Sequence, residues 1–93
     1  DKRLKKNFNP IGNIYDIFKV WTYRFDWKAD GKSDIGFIAQ EVEEIYPEFV
    51  RTHEDGYKTV DYAKMVVPLL EVTKRQQAEI DELRTMIVEL QNK

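Results

Sequence analysis

Apolar positions change period several times along this 93-residue chain, and each change marks a predicted element. Residues 1–8 are basic and read as extended. Asn9-Pro10 then reads as a helix start, with Asn as N-cap and Pro in the first turn. Ile11, Ile14, Tyr15 and Phe18 follow at helical spacing and are expected to face a core. From Trp21 the period becomes two. Trp21, Tyr23, Phe25 and Trp27 alternate with Thr22, Arg24, Asp26 and Lys28, which predicts a half-buried strand whose aromatic face belongs to the core. Asp30-Gly31 marks a turn, and Ile35–Ile38 reads as a short strand. Ala39, Val42, Ile45 and Tyr46 share one helical face, which Pro47 ends. Two β-prone stretches, 49–52 and 57–60, flank Asp55-Gly56 and predict a hairpin.

Asp61 is the expected cap of a last helix that runs almost to Lys93. Pro68 lies near its start and predicts either a kink or a helix that begins near Val67. Beyond it a seven-residue register holds. Val66, Thr73, Ile80 and Ile87 occupy the a positions, and Leu69, Gln76, Leu83 and Leu90 the d positions. Such a rod is too long to hide against some sixty other residues, so it is expected to pack on copies of itself. β-Branched residues at a with Leu at d favour two strands. Met65, Val72 and Met86 at g, with Leu70 at e, widen the stripe toward a larger bundle. Periodicity leaves dimer and trimer open. Glu79 at g and Arg84 at e have the spacing of an ion pair between parallel chains, and Thr73 and Gln76 read as polar layers that fix register. The fold class is therefore α+β, with a small helix and short-strand region over residues 1–61 and an oligomerisation helix over 62–93.

Composition narrows the function. Apolar residues at 42% suffice for a core, but a globular part this small is marginal by itself, and with no cysteine disulfides cannot supplement it. Burial against other copies is the remaining route. A formal charge of −2 argues against a nucleic-acid partner, and no apolar run approaches a membrane span. One histidine without cysteine builds neither a catalytic triad nor a His-based metal site, and four glycines include no phosphate loop, so no metal, cofactor or small-molecule ligand is expected. Ser33, the single serine, sits in turn chemistry. His53 reads as a hairpin residue, and Glu41, Glu43 and Glu44 as a solvated helix face. The aromatic strand could serve as a binding platform only if its rings are exposed.

Several of these segments together resemble a known family. Asp1–Asn7 looks like the opening of the self-cleaving intramolecular chaperone domains at the C-termini of phage tail spikes, tail fibres and neck appendages. Ile35-Gly36-Phe37-Ile38-Ala39-Gln40-Glu41-Val42 resembles their internal motif, followed by Tyr46-Pro47-Glu48 and Val50. Val60-Asp61-Tyr62 and Val67-Pro68-Leu69-Leu70 are similar to the lead-in of their C-terminal helix. The match spans essentially the whole chain in order.

The resemblance implies a homotrimer with a parallel coiled coil, partnered with an upstream fibre of the same chain. The domain would hold three chains in register while the fibre folds, in the host cytoplasm during phage assembly, and then leave the virion precursor by autoproteolysis. It also implies a serine immediately before Asp1 as nucleophile, Lys5 as general base and Asp1 as its acidic neighbour. The chain opens on Asp rather than Met, so it is expected to be a released product or truncated piece that lacks the nucleophile and cannot cleave. A Lys base must be neutral, which burial and neighbouring cations such as Lys2, Arg3 and Lys6 promote. A straight strand would misalign groups five apart, so the chain is expected to bend between Asp1 and Lys5. The competing reading is a coiled-coil trimerisation domain of a fibrous protein with no proteolytic history.

Overall fold

The computed structural model describes all 93 residues. Two small antiparallel sheets and one short helix form a head, and a long C-terminal helix leads away from it. Strand β1 (Tyr23–Asp26) pairs with β2 (Ser33–Gly36), with Tyr23 opposite Gly36 and Phe25 opposite Asp34. Helix α1 (Ala39–Ile45) follows, then β3 (Val50–Thr52) and β4 (Lys58–Val60), and finally α2 (Val66–Gln91). The radius of gyration is 18.9 Å, against about 12 Å for a compact chain of this length. The excess comes from α2, whose 26 residues span ~39 Å at ~1.5 Å per residue.

The core is small. Ile17, Val42, Tyr46, Met65, Pro68 and Val72 are the six buried residues of 93. Val42 on α1 and Tyr46 at its C-cap are one turn apart, as the helical pattern predicts, and Tyr46 stacks on Phe49 at 4.8 Å. Met65 and Val72 come from the start of the last helical segment. Ile17 belongs to a 3-10 turn, Ile14–Lys19, that lies on α2. The Tyr46 hydroxyl is buried without a hydrogen-bond partner.

Several boundaries differ from the sequence expectation. Asn9-Pro10 starts no helix. Gly12 takes φ +99°, a conformation no helix continues through, and Asn13 caps the next turn by accepting from the Tyr15 amide at 3.0 Å. This shift makes Ile17 the core residue, while Tyr15 and Phe18 stay exposed and Ile14 is half-buried. Residues 1–8 are not uniformly extended, because Asp1 caps a 3-10 turn over Lys2–Leu4. β2 begins two residues earlier than expected. The predicted strand shortens to Tyr23–Asp26, where Phe25 is half-buried, and the flanking rings are not core: Trp21 is 71% exposed and Trp27 52%.

The expectations for the second hairpin and for Pro68 hold, whereas those for Asp61 and for the acidic face of α1 are corrected. The β3–β4 hairpin turns through Gly56 at φ +87°, with the Tyr57 amide held by Asp55 at 3.0 Å. Pro68 is the third residue of α2, among the four whose amides have no acceptor in the helix, so it needs no kink. Asp61 precedes a 3-10 turn, Tyr62–Met65, and its side chain makes no capping bond. Glu41 and Glu43 are not a merely solvated face. Glu41 accepts from the Tyr23 hydroxyl at 2.8 Å, and Glu43 pairs with Lys58 at 2.8 Å, which ties α1 to both sheets.

Candidate functional site

The N-terminal turn contains Asp1 and Lys5, the two residues for which the family resemblance implies chemistry. Asp1 accepts from the Arg3 amide at 2.9 Å and from the Arg3 guanidinium, with Nη2 at 2.5 Å. The Leu4 amide donates to the Asp1 carbonyl at 3.0 Å, and the Lys5 amide to that of Lys2 at 3.2 Å. The chain therefore bends between Asp1 and Lys5. The Asp1 carboxylate is engaged by Arg3 rather than by Lys5, whose side chain is exposed and makes no ion pair. An exposed pair of this kind contributes at most about 1 kcal/mol. A single chain thus bends here and leaves Lys5 exposed.

The long helix carries the second group of residues. The head covers one flank of α2: Met65 and Val72 are buried, and the carboxylate of Glu79 accepts from the Tyr15 hydroxyl at 2.6 Å. These three are successive g positions. Arg75 approaches Glu79 at 3.5 Å, and the Tyr15 hydroxyl and the carboxylate hold its guanidinium above the ordinary arginine range. The g residues that widen the stripe on paper are therefore largely taken up by the chain's own head. The a and d residues are not. Val66, Leu69, Ile80, Leu83, Ile87 and Leu90 are exposed, from 43% at Ile80 to 66% at Leu90. Thr73 donates back to the Leu69 carbonyl at 2.7 Å, so its hydroxyl is satisfied within its own helix. Gln76 is exposed, and Arg84 has no ion pair within its own chain.

The internal motif has a structural explanation. The Tyr62 hydroxyl accepts from the Phe37 amide at 3.0 Å and lies so close to Gly36 that a Cβ there would meet it at 2.2 Å. Spacing alone does not reveal this contact, since 25 residues separate Phe37 from Tyr62. Beside it runs an open groove of about 780 Å³, with Tyr23, Phe25, Trp27, Phe37, Ile38 and Tyr62 in its walls. Phe25 meets Trp27 edge-on at 5.0 Å, and the Trp27 indole donates to Asp34 at 3.2 Å. The carboxylate of Glu41 raises the Tyr23 phenol above its ordinary value.

Ser33 donates to Asp26 at 2.6 Å across the β1–β2 pair, and His53 shares a 2.8 Å contact with Thr59 across the β3–β4 pair. Both belong to hairpin structure. No group of His, Cys, Asp and Glu has metal-holding geometry.

Comparison with known proteins fixes the relationship. The profile of the family described as chaperone of endosialidase matches residues 1–51, which include the N-terminal turn and the internal motif. This chain belongs to that family. The chaperone-of-endosialidase match ends before β4 and α2, but individual relatives extend over the remainder. The chain is 33% identical over 99 residues to the long tail fiber protein Gp37 of Enterobacteria phage K3, covering 95% of this chain and 8% of that protein. It is 30% identical over 104 residues to the long tail fiber protein Gp37 of Salmonella phage S16, covering 99% of this chain and 14% of that protein. The chain thus spans a small fraction of the curated relatives it matches.

Proposed function

We propose that this chain is the C-terminal folding and registration module of a phage tail-fibre-type protein, and that it acts as a parallel homotrimer. The observation that carries this reading is the open a/d stripe on α2. Six large apolar side chains lie along a rod whose head already occupies the neighbouring flank. At about 25 cal/mol per Å² of apolar surface, sequestering such a stripe offers a substantial stabilisation. Family membership and the long-tail-fibre relatives point the same way. Residues 1–61 form the processing and chaperone region, and 62–93 the trimerisation helix. Joining three chains at one end raises the effective concentration of the upstream segments. Slow, non-local β-structure can then nucleate in register.

In the parent chain, a serine preceding Asp1 completes a Ser-Lys dyad. Its hydroxyl attacks the carbonyl before it, the acyl group passes from nitrogen to oxygen, and water hydrolyses the ester. Lys5 takes the hydroxyl proton and returns one to the released amine. Packing of three copies supplies the burial that Lys5 lacks in a single chain. Release leaves the assembled fibre kinetically trapped, because the registering device is gone. The domain acts in the host cytoplasm during assembly, on a virion precursor. No helix of the structure is long and apolar enough to cross a membrane.

The test is expression of the parent chain with upstream fibre sequence and its own residue before Asp1, followed by intact mass and light scattering. A trimeric product beginning at that residue, lost in Lys5→Ala, is expected. An uncut trimer leaves registration without proteolysis, which is the coiled-coil alternative, and a monomer overturns both. The exposed Trp21 and Trp27 rings favour a second reading, a peptide- or glycan-binding module. It requires that both indoles remain open to an added quencher in the assembled protein.

A further inference from the structure

The head lies on the g flank of its own helix, and this has a geometric consequence for any parallel bundle built on the a/d stripe. Successive residues turn by ~100° around a helix, so e positions lie roughly opposite the c/g flank that the head covers. In a parallel bundle the g flank of one helix faces the e flank of the next. The head of one copy is then carried toward the neighbouring helix.

The surface it presents there is unusual for a solvated turn. Tyr15 and Phe18 form a stacked ring pair with centroids 6.0 Å apart, and Phe18 is 60% exposed. The Glu79 carboxylate lies beside them on the Tyr15 hydroxyl. Across the seam, the e residues at this level are Gln77 and Arg84. Arg84 has no ion pair in its own chain, which makes it the complementary charge.

We infer that the Tyr15–Phe18 ring pair, with Glu79, is an intersubunit docking surface that receives the Gln77–Arg84 flank of a second copy. This rests on the parallel-bundle reading above and deepens it. The head is a clasp that closes each groove between adjacent helices, and not an appendage hung outside the bundle. Glu79 then has three partners, Tyr15 and Arg75 of its own chain and the neighbour's guanidinium. Because the clasp occupies the g flank, it fits a third helix more closely than a facing pair, where the next axis lies farther around the rod.

The chain's lack of cysteine makes the test direct. Phe18→Cys and Gln77→Cys are introduced singly and together into the full chain, oxidised, and resolved by non-reducing gel and intact mass. Light scattering of the unmodified chain is run in parallel. The expected result is a covalent three-chain species in the double variant and little linkage in either single variant. Linkage within one chain would overturn the proposal, as would linkage of Phe18→Cys to itself. A trimer in solution with no Phe18–Gln77 linkage overturns the clasp and leaves the bundle standing. A monomer overturns the bundle and the clasp together. Phe18→Ala is the second measurement. It is expected to raise the concentration at which copies dissociate by about tenfold, with the single-chain circular dichroism unchanged. An unaltered dissociation concentration argues against the clasp.

Discussion

The Tyr62 hydroxyl rests on Gly36 and accepts the amide hydrogen of Phe37 at 3.0 Å, joining the internal motif to the segment that leads into the long helix. Two stretches that look separate in the sequence are thus one contact. The glycine is required because of the tyrosine, and the tyrosine is held by the residue after the glycine.

Gly36→Ala places a methyl group 2.2 Å from that hydroxyl. Overpacking of this kind costs about 1–3 kcal/mol. Tyr62→Phe removes the oxygen and relieves the clash but leaves the Phe37 amide without its acceptor. The double variant is expected to be more stable than the sum of the single losses implies, by about 1 kcal/mol. Urea denaturation of the four proteins measures the coupling, and strict additivity would mean that the contact is absent.

Tyr46→Phe is expected to stabilise the head. It deletes a buried hydroxyl that has no partner while keeping the ring stacked on Phe49. Leaving such a group unsatisfied costs about 1–3 kcal/mol, so the melting temperature should rise. A fall would show that the hydroxyl has an acceptor in solution.

Alkaline pH tests two phenols. Burial, then the charges of Asp16 and Glu48, raise Tyr46 above 10.0, and the Glu41 hydrogen bond does the same for Tyr23. In the unfolded chain both ionise near pH 10, before their folded counterparts. Their contribution is therefore fully present below pH 10 and lost as pH climbs through the raised folded values. Stability should be level from about pH 8 to 9.5 and fall beyond 10, and Tyr46→Phe should soften that fall. Thermal melts at fixed ionic strength across this window provide the comparison.

Leu83→Asp places a charge in the centre of the a/d stripe. Leu83 is 57% exposed in the single chain, so the head should keep its fold and near-ultraviolet signal. The concentration at which copies associate should rise by at least roughly a hundredfold. Sedimentation at matched concentrations reads this out, and an unchanged oligomer would remove the stripe from the interface.

Where local rules suffice, the sequence is legible. The β3–β4 hairpin follows from Asp55-Gly56, α1 from the spacing of Val42 and Tyr46, and α2 from its long apolar register. Local signals fail where two compete. Asn9-Pro10 has the residues of a helix start, but the left-handed Gly12 follows it and the turn begins only at Asn13. The aromatic alternation of Trp21–Trp27 correctly indicates a strand, but alternation cannot say which surface the rings meet, and in one chain they meet none sufficient to bury them. Neither the bond between Tyr15 and Glu79 nor the Tyr62–Gly36 contact has a periodic signature, because the fold closes both across long separations.

Pro68 has a role beyond tolerating its place in the first turn. A proline ring collides with the carbonyl four residues back when that stretch is α-helical, so the α-helical form does not extend through Lys64, which lies in the 3-10 turn Tyr62–Met65. It gives the rod a fixed origin, like the zero mark on a ruler. A slip of one heptad between copies would offset their heads by ~10.5 Å at ~1.5 Å per residue, a mismatch that no regrowth of the helix can absorb.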